Sequence, residues 1–374
     1  MKAIEALPQP SQSSSIANDL LMEEQNDGGT VSKALVIDGM AVVQELSCLS
    51  VRSCKEFADH FLRTIVQRTN DYDMIHLVFD RYDARLSLKQ LTRNLRHGSD
   101  AQGYDVTDCT QIKVPLKKFL SSSKTKDKLT VYLAKKALVH FTSSSKCLVV
   151  STKEGAQSQS VDVDPLCSNH EETDTCLILH ALYASAQGQT VHIMSPDTDV
   201  FILALRRQPE LGDGACLILG TGDKRRVVLL KPIYTALGPN LAQSLPGFHA
   251  FTGSDTTGKF AGKGKLTCWK TLLRMKEHVL TAFAQLGTMN SPTQEIYDGL
   301  EEFVCKLYVS SIHETKIEKV RWHLFKKNQA EGEKLPPTRS TLKYHILRSH
   351  FQAMVWNKIA NPDLPSPEDY GWVL

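Results

Sequence analysis

Long hydrophobic runs are missing from this 374-residue chain. No apolar stretch approaches the roughly eighteen residues that a membrane-spanning helix needs, so no membrane association is expected. The nine cysteines lack pattern: they are scattered, with no C-x-x-C pair. With no signal-peptide-like opening either, reduced thiols and a nuclear or cytoplasmic location are expected. A dominant charge sign is also missing. Lys and Arg number 44 against 41 Asp and Glu, a net +3, so any surface for a polyanion must come from local clustering. No G-x-S-x-G suggests a serine hydrolase, and no G-x-x-x-x-G-K-[ST] suggests a P-loop. No internal repeat is visible. What remains is ordinary globular composition, 41% apolar and 23% charged, long enough for one large domain or two small ones.

The stretch Thr190–Arg207 organises the rest. A short apolar run, Val191–Met194, reads as a buried strand that halts at Ser195-Pro196, and a run with helical periodicity follows at once. Asp197 and Asp199 stand between them, at the carboxyl end of the strand, where open α/β sheets bind ligands. Two acids one residue apart there suit a hard cation. Helix capping explains the same pair, with Asp197 as N-cap and Asp199 favoured by the helix dipole.

Other acids follow the same grammar. Lys33–Ile37 reads as a strand ending in Asp38-Gly39, Ser53–Arg68 as a helix, and Met74–Phe79 as a strand ending in Asp80. That βαβ order implies parallel strands with their acids at one edge. Leu129–Phe141 reads as a helix, Cys147–Ser151 as a strand and Lys153–Pro165 as a loop. Glu171, Glu172 and Asp174 open a helix over Thr175–Ala186. Ala215–Gly220 and Arg226–Leu230 read as a hairpin. Asp255 lies in Gly253-Ser254-Asp255. Seven carboxylates, Asp38, Asp80, Glu172, Asp174, Asp197, Asp199 and Asp255, would repel one another if gathered without cations. Two divalent ions about 4 Å apart, Mg²⁺ or Mn²⁺, would turn them into a phosphodiester-cleaving centre.

Two basic segments complement the acids. From Ala84 to Lys136 twelve Lys and Arg face four Asp, with Lys89, Arg93 and Arg96 on an expected helix after the second strand. From Thr256 to Lys276 there are six Lys and Arg and no acid. There Gly258–Lys265 forms a glycine-lysine loop ahead of a helix, and Gly262, Lys263, Gly264 and Lys265 are candidates to approach a phosphate closely. Solvated helix faces and a plain surface loop are the blander readings of both segments.

Taken in order, these motifs resemble the flap endonuclease/XPG-like branch of the PIN-like nuclease superfamily. Phe79-Asp80 matches its F-D step, Glu172-Thr173-Asp174 its acid-x-acid helix start, and Ser195–Asp199 its S-x-D-x-D segment. Gly253–Lys265 matches its G-S-D step and helix–two-turn–helix. The likeness spans about Ala34 to Met275, and the dispersed arrangement also resembles proteins derived from mobile elements. It implies a Rossmann-like parallel sheet flanked by helices, with the helix–two-turn–helix near 253–276 and a helical C-terminal region. The seven acids would be catalytic metal ligands, Lys89 and Arg96 would meet the scissile phosphate, with Arg93 competing, and Asp83 and Glu171 fall outside the pattern. The implied function is a Mg²⁺-dependent, structure-selective nuclease acting as a monomer on flap or branched DNA, with RNA as a second substrate class. No sliding-clamp peptide with paired aromatics is visible.

The expected layout is a disordered lead over 1–32, a nuclease domain over 33–286 and a helical extension over 287–374. Rival readings are a PIN-type RNase and an inactive PIN-like scaffold that binds nucleic acid or protein, since a fold alone does not establish activity. A zinc site from Cys167, His170, Cys176 and His180 has no standard finger spacing.

Overall fold

The computed structural model describes residues 32–81, 103–168, 173–326, 332–360 and 364–372. Residues 1–31 of the expected lead over 1–32 therefore lie outside the described residues, as do Asp83, Lys89, Arg93, Arg96, His170, Glu171 and Glu172. The chain divides into two compact units, Met1–Ile233 with Ile359–Asn361 and Tyr234–Lys358 with Pro362–Leu374.

The first unit is built on a seven-stranded sheet flanked by helices, in the order β4-β3-β2-β1-β5-β6-β7. Its strands are β1 (Lys33–Asp38), β2 (Met74–Val78), β3 (Cys147–Thr152), β4 (Gly155–Ser158), β5 (Thr190–Met194), β6 (Cys216–Leu219) and β7 (Arg226–Leu229). The inner five are parallel, and β4 and β7 pair antiparallel with β3 and β6. Its main helices are α1 (Gly39–Glu45), α2 (Cys54–Arg68), α3 (Ser123–Phe141), α4 (Thr173–Ala186) and α5 (Thr198–Arg206).

The strand alternation sorts side chains to two faces. Leu35, Ile37, Ile75, Leu77, Leu148 and Val150 share one core cluster with Phe57 and Phe61 of α2 and Leu133 of α3. The intervening residues include Val36 and His76, and His76 meets His180 of α4. Helix α2 starts where the sequence places it: Ser53 Oγ accepts from the Glu56 amide at 3.2 Å, and Glu56 reaches back to the Arg52 amide at 2.7 Å. That is close to a reciprocal capping box.

Two elements depart from expectation. Gly155–Ser158, expected as loop, is edge strand β4, whose four residues are too short and polar to announce themselves. Gly39–Glu45, directly after the first acid, is helical, with Asp38 as its cap. The expected hairpin is present as β6 and β7, joined through a short 3₁₀ turn at Gly222–Lys224.

The second unit is helical: α6 (Pro239–Phe251), α7 (Lys265–Leu272), α8 (Glu277–Gln285), α9 (Gln294–Tyr308), α10 (Ile317–Lys326) and α11 (Arg339–Asn357). Helix α6 packs against α8 and α11 around an aromatic cluster of Phe248, Phe251, Phe283 and Phe303, with ring centroids 5.0–6.2 Å apart. Gly247 makes the α6–α8 approach feasible, because a Cβ there would stand 2.1 Å from the Phe283 carbonyl oxygen.

Lys265 has a role other than the expected phosphate contact. Its ammonium donates to the His249 carbonyl at 2.8 Å, the Thr252 hydroxyl at 2.9 Å and the Gly253 carbonyl at 2.7 Å. A cation on the last carbonyls of α6 satisfies orphan acceptors and complements the helix dipole. Lys265→Met is expected to lower the stability of this unit by about 1.5–3 kcal/mol, the range for charged hydrogen bonds, read as a shift in urea midpoint. An unchanged midpoint would show the three contacts to be dispensable.

Candidate metal centre at the carboxyl edge of the sheet

The parallel register brings four of the expected acids, on three chain segments, to one edge. Asp38 pairs with Val78, and Ile37 with Met194, so the chain segments Asp38, Phe79-Asp80 and Ser195–Asp199 all emerge at the carboxyl ends of β1, β2 and β5. From β1 the chain proceeds to β2 and β3 on one side and returns to β5 on the other. The strand order thus reverses between β1 and β5, and such switch points open the crevice in which α/β sheets hold ligands.

Local packing fixes each acid. Gly39 lets α1 start against the ring of Phe79, since a Cβ there would lie 2.5 Å from a ring carbon. That close approach juxtaposes Asp38 with Asp80. Asp38 Oδ1 accepts from the Ala41 amide at 2.9 Å and caps α1, while Oδ2 accepts from the Ser195 hydroxyl at 3.3 Å. Asp80 accepts from the Thr173 hydroxyl at the start of α4. Asp197 caps α5 by accepting from the Asp199 amide at 2.8 Å, and its own amide donates to Ser195 Oγ at 3.2 Å. The capping reading of Asp197 is therefore realised, and it occupies one carboxylate oxygen. Asp174 is buried in the first turn of α4, and Asp199 is half-buried in the first turn of α5.

The electrostatics match this crowding. Burial, then the neighbouring charges of Asp80 and Asp197, push the Asp38 carboxyl up to about 7 against the opposing bonds from Ala41 and Ser195. A free carboxyl titrates near 3.8. The folded chain then holds a proton that the unfolded chain has released, so stability falls as pH rises from about 4 to about 7. Asp38→Asn keeps an acceptor oxygen for Ala41 and carries no charge. It is expected to flatten that decline by a few kcal/mol at most, measured by urea unfolding in chelator at pH 5 and pH 8. Equal slopes in both proteins would place the strain elsewhere.

The donor chemistry fits a hard divalent cation: carboxylate oxygens that destabilise one another are relieved by positive charge. Among the described residues, however, no three His, Cys, Asp or Glu side chains stand together in a ready metal cage. Glu172, the remaining acid expected at this edge, is outside the described residues. Asp255 belongs to the second unit, exposed in the loop that follows α6. The zinc reading finds no support among the described residues, because His180 bonds His76 within the core and Cys176 is buried in α4.

Ser195, Thr173 and Arg81 are the site residues that acid spacing does not single out. Ser195 bridges Asp38 and the Asp197 amide, Thr173 holds Asp80, and the Arg81 guanidinium donates to the Ser168 carbonyl. Their signal is position: each directly neighbours, or stands two residues from, a motif acid.

The glycine loop lies in the second unit. Among the described residues, Gly258, Gly262 and Gly264 have nothing within 4 Å of where a Cβ would stand, so no contact there demands glycine. Lys263 stacks its ammonium 4.9 Å from the Tyr308 ring centroid.

No protein-family model matches the chain, and no curated protein matches it. Among solved structures it is similar to the T5 D15 protein co-crystallised with metal ions, at 13% identity and a TM-score of 0.42, covering 87% of this chain and 91% of that one. It is also similar to the bacteriophage T5 D15 flap endonuclease pseudo-enzyme–product complex with DNA and metal ions, at 11% identity and a TM-score of 0.42, covering 87% and 90%. Likeness at this level leaves the functional reading to the chain's own residues.

Proposed function

We propose that the chain is a divalent-metal-dependent, structure-selective nuclease that hydrolyses phosphodiester bonds in flap or branched DNA. The observation that carries this reading is the convergence of Asp38, Asp80 and Asp197 at the switch point of a parallel sheet, where burial first, and then the charges of Asp80 and Asp197, raise the Asp38 pKa to about 7. Acids that crowd and repel one another in this way suit the binding of a hard cation.

In this reading Asp38, Asp80, Glu172, Asp174, Asp197, Asp199 and Asp255 hold two Mg²⁺ or Mn²⁺ ions. When bound, the ions supply an activated water and charge stabilisation for the leaving oxygen. The chain's own residues orient the carboxylates: Ser195 and Thr173 by hydrogen bonds, the starts of α1 and α5 by amides. Lys89 and Arg96, with Arg93 as alternative, neutralise the scissile phosphate. Gly262, Lys263 and Gly264 take the backbone of a duplex arm, where contacts position without reading sequence. The part given to Asp255 requires it to join the acids of the first unit, which a crosslink between Cys replacing Asp255 and Cys replacing Asp199 would test.

One observation favours a second reading. The lack of a ready metal cage among the described residues is what a nucleic-acid-binding scaffold would have. Labelled flap, bubble, single-stranded DNA and RNA substrates incubated with Mg²⁺ or Mn²⁺ separate the two. Cleavage nearest a flap or junction supports the nuclease; binding with no cleavage of any substrate supports the scaffold; preferential RNA cleavage supports a PIN-type RNase.

A further inference from the structure

The second unit carries a cleft that the acid edge does not use. It opens between Lys259 in the glycine loop and one face of α11, with a volume of about 500 Å³. That size suits a small ligand or a single residue of a polymer, for which pockets run roughly 300–1,000 Å³. Thr341, Tyr344, His345 and Arg348 line it from α11 at spacings of i, i+3, i+4 and i+7, so one helical face supplies a continuous wall. Tyr308 at the end of α9 lines it as well.

The floor is fixed. The buried Phe260 ring packs 5.2 Å from Phe251 and 5.0 Å from His345, and His345 Nε2 donates to the Phe251 carbonyl at 2.7 Å. The walls are different in kind. Tyr344 is 53% exposed, and its hydroxyl has no hydrogen-bond partner among the described residues. Lys259 is exposed, and among the described residues its ammonium has neither an ion pair nor a hydrogen bond. Arg348 is held in place by two bonds to the Gly371 carbonyl, from Nε at 2.9 Å and Nη2 at 2.6 Å, which leave Nη1 unbonded among the described residues. Among the described residues, no Asp or Glu lines the cleft.

Aromatic rings interleaved with cations that have no acid partner among the described residues suit a ligand that is flat on one side and anionic on the other. We propose that this cleft binds an unpaired nucleotide of single-stranded nucleic acid, its base stacked on Tyr344 and its phosphate against Lys259 and Arg348. The inference rests on the reading of the chain as a nucleic-acid-binding protein, and it adds a single-strand site distinct from the duplex contact assigned to the glycine loop. A base stack is sequence-tolerant because every base has a π-face, so little base preference is expected.

The test is fluorescence anisotropy of a labelled oligothymidylate and of a blunt duplex hairpin, in chelator so that neither is cut. Tyr344→Ala is expected to weaken single-strand binding by roughly fivefold to a hundredfold, the value of one stacked base, and to leave duplex binding within about twofold. Tyr344→Phe should retain single-strand affinity. Lys259→Ala should flatten the salt dependence for the single strand by about 0.7 of a slope unit, one phosphate's worth. Thermal midpoints check that the exposed substitutions leave the fold intact. Unchanged single-strand affinity in Tyr344→Ala would overturn the proposal, as would equal losses on both ligands. So would displacement of the oligothymidylate by a polyglutamate peptide as readily as by unlabelled oligonucleotide, since charge alone would then explain binding. Because no cleavage is read, loss of the nuclease reading leaves this result standing. A wild type that cuts junctions yet binds no single strand overturns this proposal alone.

Discussion

Asp80→Asn and Asp197→Asn are each expected to lower Mg²⁺-dependent cleavage by about a thousandfold, or roughly 4 kcal/mol of transition-state stabilisation, while nucleic-acid binding persists. The substitutions are chosen to preserve structure. Asp80 accepts the Thr173 hydroxyl, and the amide oxygen of Asn can do the same. Asp197 caps α5 through its side-chain oxygen, and Asn is as good a cap as Asp. What each variant removes is one negative charge beside Asp38, whose pKa is raised partly by these two neighbours. In chelator the variants should therefore bind a polyanion at least as tightly as wild type, because less negative charge meets the phosphates. The two effects move in opposite directions, so a misfolded variant cannot mimic them. Wild-type cleavage rates retained in either variant would mean that the acids at this edge do not carry the reaction.

The edge itself was legible because its signals are local. KALVI, MIHLVF and VHIM are short apolar runs stopped by an acid or by Ser-Pro, and a strand buried on both faces needs no alternation to announce it. Their convergence followed from the βαβ order, which forces parallel strands. The switch point between β1 and β5 was not legible, since strand order depends on packing rather than on any one segment. Helix α6 was hidden by Pro246, a residue that argues against helix interiors; here it lies buried in α6 next to Gly247 and its close contact with α8. Helix α10 was obscured by its charge: Glu318, Lys319, Arg321 and Lys326 dilute a buried stripe of Ile317, Val320 and Leu324. Lys265 shows the limit of reading a basic run as one surface. Nothing in G-K-G-K tells which lysine turns inward to the end of α6 and which stays beside a ring at the surface.

The first unit is also expected to unfold in mild acid, through a pair of histidines remote in sequence from the acids. His76 lies in β2 and His180 in α4, both fully buried, with Nδ1 to Nδ1 at 2.8 Å. One of these nitrogens must donate and the other accept, so the two neutral rings take opposite tautomers. Neither Nε2 has a hydrogen-bond partner among the described residues, so none of them stabilises a second proton on either ring. Burial pushes His76 down to about 3, and burial with the adjacent His76 and Arg81 pushes His180 well below its usual value of 6.5. His192, bonded to the Tyr72 hydroxyl at 2.8 Å, is lowered to about 4 by burial and by Lys33. The unfolded chain protonates these groups near 6.5 and the folded chain does not, so their stabilisation is complete above pH 6.5 and declines as pH falls toward 3–4. The loss deepens with each pH unit below 6.5, and it acts against a domain's whole stability of only roughly 5–15 kcal/mol. Asp38 acts with the opposite sign between about 4 and 7 and offsets one histidine. Replacing both partners, His76→Leu with His180→Leu, removes the buried bond together with its unpaired nitrogens, a change that can be nearly neutral at pH 7. His76→Leu alone strands the His180 Nδ1 and should cost about 1–3 kcal/mol at pH 7. Urea unfolding followed by far-UV circular dichroism from pH 4.5 to 8 should show the double variant unfolding about one pH unit lower than wild type. An acid midpoint identical in both proteins would assign the acid sensitivity to groups other than this pair.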